Sequence, residues 1–184
     1  MKKIYFIRHA KAVEESEGGD FERDLSERGK KDLALMCERL KKHEVRADAI
    51  FASPAKRCAK TVQKLAEAVK FKKKIKFKDE LYGAQMHELL EFVRKLDDKF
   101  QSVFIVAHND AITEICELLS DAAIGNIPTC GIFCVKFDGN FKELKEHGAK
   151  ALFFDYPKKH KFLQTSSCSS SSLSNCADRC PQPR

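Results

Sequence analysis

Residues 102–107, SVFIVA, narrow the fold more than any other stretch, because five apolar side chains follow one another with no polar residue between them. A strand with one wet face alternates apolar and polar side chains, so an unbroken run of this length has both faces buried. Strands of that kind belong to parallel sheets covered by helices on each side. KIYFI at 3–7 and AIFAS at 49–53 have the same character. The stretches between them carry apolar residues at helical spacing. Leu33, Met36, Cys37 and Leu40 fall at i, i+3, i+4 and i+7 behind Ser26, a residue suited to capping a helix. Ser53-Pro54 offers a cap followed by proline at the first helical position, and Cys58, Val62, Leu65, Ala66 and Val69 then form a buried stripe. A basic strand is expected over about 74–79 and a helix over about 86–98, burying Leu89, Leu90, Val93 and Leu96. Another helix should start near 110, with Ile112, Ile115, Cys116 and Leu119 inward. GIFCVKF and FKELK flank Asp138-Gly139-Asn140, a hairpin signal. The predicted fold is α/β: a three-layer α/β/α sandwich with a mostly parallel central sheet and an antiparallel strand near the C-terminal end.

A chain of 184 residues supports one sizeable core rather than two. The composition breaks after Phe162. LQTSSCSSSSLSNCADRCPQPR, residues 163–184, holds seven serines and two leucines, with no periodicity to bury. The expected organisation is one folded domain over 1–162 and a disordered Ser/Cys-rich tail over 163–184 that need not be native sequence. No run approaches the roughly 20 apolar residues of a membrane span, and the apolar run behind Lys2 and Lys3 ends at Arg8, too short for a signal peptide. A cytoplasmic, monomeric protein with no membrane partner is expected. Eight cysteines without a secretory signal read as thiols; Cys130 and Cys134 are spaced C-x3-C with no second ligand pair, which argues against zinc.

The net charge of +7 points to a basic solvated surface or to an anionic partner. The densest run, KFKKKIKFK at 70–78, alternates Lys with Phe71, Ile75 and Phe77, as a strand with one basic face does; no RNA-binding aromatic motif accompanies it, and no nucleic-acid partner is expected.

Three expected strands end alike. Arg8 and His9 follow the first, Arg57 lies in the first turn of the helix after the second, and His108 follows SVFIVA. Parallel strands bring these ends to one edge, where open α/β sheets bind ligands. Two guanidiniums and two imidazoles beside helix N-termini suit a phosphate. A lone His or Arg in any of these places would be an ordinary surface or packing residue, and His43, His87, His147 and His160 are read so. There is no carboxylate cluster of the magnesium type, and arginines supply the positive charge, so neither metal nor cofactor is implied.

RHA after the first strand, SPAKRCAKT at 53–61 and VAH at 106–108 resemble the histidine phosphatase superfamily, with its phosphoglycerate-mutase-like fold. RHAKA, RDLSERG at 23–29, ELYGA at 80–84, VAHNDAITEI and PTCGI at 128–132 resemble its SixA-type branch of phosphohistidine phosphatases most, and the likeness runs over roughly 2–160. It implies His9 as nucleophile, Arg8, Arg57 and His108 as phosphate ligands and Glu80 as proton donor to the leaving group. Arg23, in the loop before the first helix, would add a third cation. Ala10 replaces the more frequent Gly of R-H-G, and would be strained if the position needed a positive φ. Asp110 stands where the branch usually has Pro; its carboxylate would repel phosphate unless turned away to cap the next helix. The short path from Arg57 to Glu80 leaves no room for a lid domain. Lys11, Lys30, Lys31 and Lys56 suit an acidic phosphoprotein, such as a His-phosphotransfer protein. Protein phosphohistidine is the expected substrate. A small phosphomonoester, or a non-catalytic phosphate-binding module on the same fold, are the alternatives.

Overall fold

The computed structural model describes residues 1–159; the expected tail, and His160, lie outside them. The elements are β1 (Lys2–Arg8), α1 (Glu27–Lys42), β2 (Ala49–Ala52), α2 (Lys56–Ala68), β3 (Lys76–Phe77), α3 (Met86–Arg94), β4 (Ser102–Ala107), α4 (Ala111–Leu119), β5 (Ile132–Phe137) and β6 (Lys150–Asp155). Short 3-10 turns occupy Asp20–Glu22, Asp79–Leu81 and Phe141–Glu143. One six-stranded sheet runs in the order β3-β2-β4-β1-β5-β6. Strands β1, β2, β3 and β4 are mutually parallel, and β5 lies antiparallel to both β1 and β6.

The period of two along each strand separates two cores. Ile4, Phe6, Val103 and Ile105 face α3 and α4, whereas Tyr5, Ile7, Phe104 and Val106 face α1 and α2. This is the three-layer arrangement expected from unbroken apolar strands. Phe6 and Phe104 are fully buried, each stabilising the fold by about 1.5–3 kcal/mol. Ser26 caps α1 as expected, its Oγ accepting from Gly29 N at 3.1 Å. Gly29 also lets α1 approach the preceding loop: a Cβ there would stand 2.0 Å from the Lys11 carbonyl oxygen.

Four local expectations are corrected. The helix after β2 starts at Lys56 rather than at Pro54, with Ala55 in the cap position and no side-chain cap. Ser53 instead turns its hydroxyl to His108. The basic strand shortens to Lys76–Phe77, an exposed edge. Helix α3 stops at Arg94, and Asp97 Oδ1 then takes the Lys99 N–H at 3.0 Å in a turn; Leu96 stays buried all the same. No hairpin forms at Asp138-Gly139-Asn140. Asn140 caps a 3-10 turn with Glu143, and this turn drives Phe141 into the α3 side of the core. The antiparallel partner of β5 is β6, whose Ala151, Leu152 and Phe153 are exposed.

Candidate functional site

Pairing puts Arg8 level with Ala107, and Ala52 level with Val106, so the residues after β1, β2 and β4 emerge side by side. The His9 and His108 rings lie 5.3 Å apart between centroids. Arg57, almost wholly buried at the start of α2, donates from Nη2 to His108 Nδ1 at 3.2 Å. The expected cluster is therefore a real juxtaposition.

The backbone under it is held on every side. His9 N donates to Ala107 O (3.2 Å), the His9 carbonyl accepts from Cys130 N (3.0 Å), and Arg8 N donates to Gly131 O (3.1 Å). Ala10 is buried, and its φ is not positive, so alanine fits there without strain. Its N–H donates to Thr61 Oγ1 (3.0 Å), and that hydroxyl donates to the Arg57 carbonyl (2.6 Å). One buried threonine thus ties the turn after β1 to the helix that carries Arg57.

His9 Nδ1–H donates to the Ala10 carbonyl at 2.8 Å. The proton then sits on Nδ1, and Nε2 keeps its lone pair. Burial, helped by the charges of Arg57, Arg8 and Arg23 and opposed by the Ala10 carbonyl, lowers the His9 pKa to about 4. His108 is neutral for the same first reason, with His9 and then Arg57 adding to it, and its pKa falls to about 3. Because Nδ1 accepts from Arg57, His108 carries its proton on Nε2 and donates it to Ser53 Oγ at 2.8 Å. Both ring nitrogens of His108 are thus engaged within the protein, whereas His9 Nε2 keeps its lone pair. Arg8 Nη1 donates to Ile127 O (2.7 Å) and Asn126 Oδ1 (3.3 Å), while its Nε is buried without a hydrogen-bond partner among the described residues.

Arg23 reaches the cluster through Asp20. Asp20 Oδ1 accepts from Arg23 Nη1 (2.8 Å), and Oδ2 accepts from Arg57 Nη2 (2.9 Å) and from the Tyr82 hydroxyl (3.0 Å). The Asp20 carbonyl takes Arg57 Nη1 as well (2.5 Å). These donors hold the Asp20 carboxyl far below the usual carboxylate range, those of Arg23 and Arg57 most of all. The Tyr82 ring packs edge-on against His108 (5.5 Å) and against Phe21 (5.2 Å). Sequence reasoning missed Asp20, Tyr82 and Thr61 as site residues. The spacing of Asp20 three before Arg23 is a readable ion-pair signal, but its bond to Arg57, 37 positions away, has none.

Glu80 lies in the 3-10 turn two residues before Tyr82, exposed, with Lys78 Nζ at 3.9 Å. Asp110 occupies the cap position of α4 with φ 57, yet its carboxylate makes no capping bond. A shallow cleft of about 410 Å³ opens beside His108, bordered by Gly83, Gln85, Asn109, Asp110 and Glu114. Lys30 and Lys56 pair with Glu27 and Glu22, whereas Lys11 and Lys31 are exposed. Among the described residues no group of three or more His, Cys, Asp or Glu side chains is placed to hold a metal ion. Chemically, the site presents a neutral imidazole with one lone pair on Nε2, in the positive field of Arg57, Arg8 and Arg23.

Comparisons with known proteins bear on the family and the fold. The family model described as histidine phosphatase superfamily (branch 1) matches residues 4–89. An uncharacterized protein of Mycobacterium tuberculosis (strain H37Rv) is 23% identical over 162 residues, covering 83% of this chain and all of that protein. The SixA structure from Agrobacterium tumefaciens superposes with a TM-score of 0.72 at 25% identity, over 85% of this chain and 98% of its own. The structure of the protein histidine phosphatase SixA complexed with tungstate gives 0.73 at 18% identity, over 84% and 97%.

Proposed function

We propose, from the match of residues 4–89 to the histidine phosphatase superfamily model and the likeness to SixA structures, that the chain is a histidine phosphatase and hydrolyses protein phosphohistidine through a phosphorylated His9. One observation carries this reading: His9 donates its Nδ1–H to the Ala10 carbonyl, which leaves the lone pair on Nε2, in the field of Arg57, Arg8 and Arg23. Nε2 attacks phosphorus, and the N–P bond forms as the bond to the leaving imidazole breaks. Arg8, Arg57, Arg23 and His108 meet the charge on the transferring oxygens; His108 does so by exchanging its Ser53 partner for phosphate. Glu80 supplies the proton that the leaving nitrogen takes up. Water then attacks the phosphorylated His9, gives its proton to the Glu80 carboxylate, and the electron pair of the N–P bond returns to Nε2. Throughout, the Ala10 carbonyl supports the positive charge that the ring acquires.

An open site favours a phosphoryl group carried on a protein. Between Arg57 and Glu80 the chain forms only α2, β3 and the start of the 3-10 turn Asp79–Leu81, with no inserted lid domain in that stretch. Tyr82, partly exposed against His108, and Phe21, partly exposed against Tyr82, offer apolar surface to a planar leaving group.

A single-turnover assay with a ³²P-phosphohistidine protein tests the reading. Wild type should release phosphate and trap acid-labile label on the enzyme, and His9→Ala should do neither. Absence of release by wild type, from phosphohistidine and from p-nitrophenyl phosphate alike, would leave the cluster as a binding site only.

A further inference from the structure

We infer that Asp20 is a specificity-determining residue, an internal anion that occupies the guanidinium seat and admits only ligands carrying more charge than one carboxylate. The inference rests on the phosphatase reading above. Its geometric basis is the bridge itself: one carboxylate spans Arg23 and Arg57 and takes the Tyr82 hydroxyl as well. Arg57 is nearly buried, with 7% of its side chain exposed, while the Asp20 side chain is 51% exposed. A carboxylate that wet can leave; a guanidinium that buried cannot follow it. Asp20 sits in the 3-10 turn Asp20–Glu22 of the long connection between β1 and α1, and no residue of that turn is buried in the core.

The competition has a definite sense. A phosphoryl group that takes the Arg57 fork displaces the Asp20 carboxylate from it. A dianionic phosphomonoester or phosphoramidate exchanges two charges for one and gains bonds. A carboxylate or a phosphodiester exchanges one charge for one and gains little. The Asp20 carbonyl keeps its own hydrogen bond to Arg57, so replacing the side chain leaves the arginine anchored. Asp20→Asn therefore separates the competing charge from the positioning of Arg57.

Calorimetric titration of wild type, Asp20→Asn and Tyr82→Phe tests this with inorganic phosphate and with dimethyl phosphate at pH 8. Asp20→Asn should bind phosphate about tenfold more tightly than wild type, about 1.4 kcal/mol, and should bind dimethyl phosphate where wild type does not. Tyr82→Phe, which removes one donor from the carboxylate, should tighten phosphate binding by a smaller factor. Equal or weaker phosphate binding by Asp20→Asn in a folded variant overturns the assignment and makes Asp20 a positioning residue. If Asp20→Asn fails to fold, unchanged or weaker binding by Tyr82→Phe overturns it instead. Absence of phosphate binding in wild type and every variant overturns both the assignment and the phosphate-site reading beneath it.

Discussion

Replacing Thr61 by valine removes one hydroxyl and leaves the shape of the side chain nearly unchanged. Thr61 is fully buried in α2. Its Oγ1 is the acceptor for Ala10 N–H and the donor to the Arg57 carbonyl. The Arg57 carbonyl stays within the helical ladder, so the main loss is the Ala10 N–H, stranded in a dry place with no acceptor. A buried donor left unsatisfied costs about 1–3 kcal/mol. Taking about 2 kcal/mol, and about 2–4 °C per kcal/mol for a domain of this size, Thr61→Val should lower Tm by about 4–8 °C. The change also reaches the site, because Ala10 supplies the carbonyl that fixes the His9 tautomer. Phosphatase turnover should fall about tenfold more than stability alone explains, measured well below Tm. Thr61→Ser is the control: it keeps both hydrogen bonds and loses one buried methyl, about 1 kcal/mol, with turnover near wild type. Urea denaturation and steady-state hydrolysis of p-nitrophenyl phosphate read the two effects. If Thr61→Val unfolds within 0.5 kcal/mol of wild type, on the order of ordinary surface substitutions, the hydroxyl bridge is not what holds this turn.

Other predictions concern protons, packing and charge. His9 and His108 have folded pKa values of about 4 and about 3 against about 6.5 in the unfolded chain. The unfolded state therefore binds more protons below pH 6.5, and stability should rise with pH from about 4 to about 6.5 and fall as acid is added; urea midpoints at pH 4.5 and 7 check this, and NMR titration should place His9 near 4 rather than near 6.5. Gly29→Ala should lower Tm despite the better helix propensity of alanine, because its Cβ meets the Lys11 carbonyl oxygen; a gain would show that α1 can move away. Arg57→Lys replaces a fork serving Asp20 and His108 with a single ammonium, and kcat should drop by roughly 10²–10³.

The core was legible because both its periods are strong. Val103 to Ala107 could only be a strand buried on two faces, and Leu33, Met36, Cys37 and Leu40 only a helix stripe. Arg8, His9, Arg57 and His108 were legible by their place after strands, once the strands were taken as parallel. The errors fall where two local explanations compete. Ser53 has the right chemistry for a cap, but its hydroxyl serves a ring 55 positions away. Asn140 has the right chemistry for a hairpin, yet caps a turn that buries Phe141. Strand β6 escaped notice because Leu152 and Phe153 look like core residues and lie partly exposed on a sheet edge. Asp20 is invisible from local pattern since its partners converge from the first loop, α2 and the turn before α3.

The place of β1 in the sheet has a consequence for how the protein is made. Its neighbours are β4 on one side and β5 on the other, with Lys3 opposite Ser102 and Lys2 opposite Phe137. During synthesis β1 finds neither neighbour until roughly a hundred further residues have followed it. Contacts of such long sequence separation form late and slow folding. Meanwhile KIYFI is an apolar strand with two unpaired edges, the kind of segment that chaperones bind and that aggregates when left uncovered. The segment that leads into His9 is thus the one most dependent on the rest of the chain arriving, and truncated products that end before β4 should be insoluble as well as inactive.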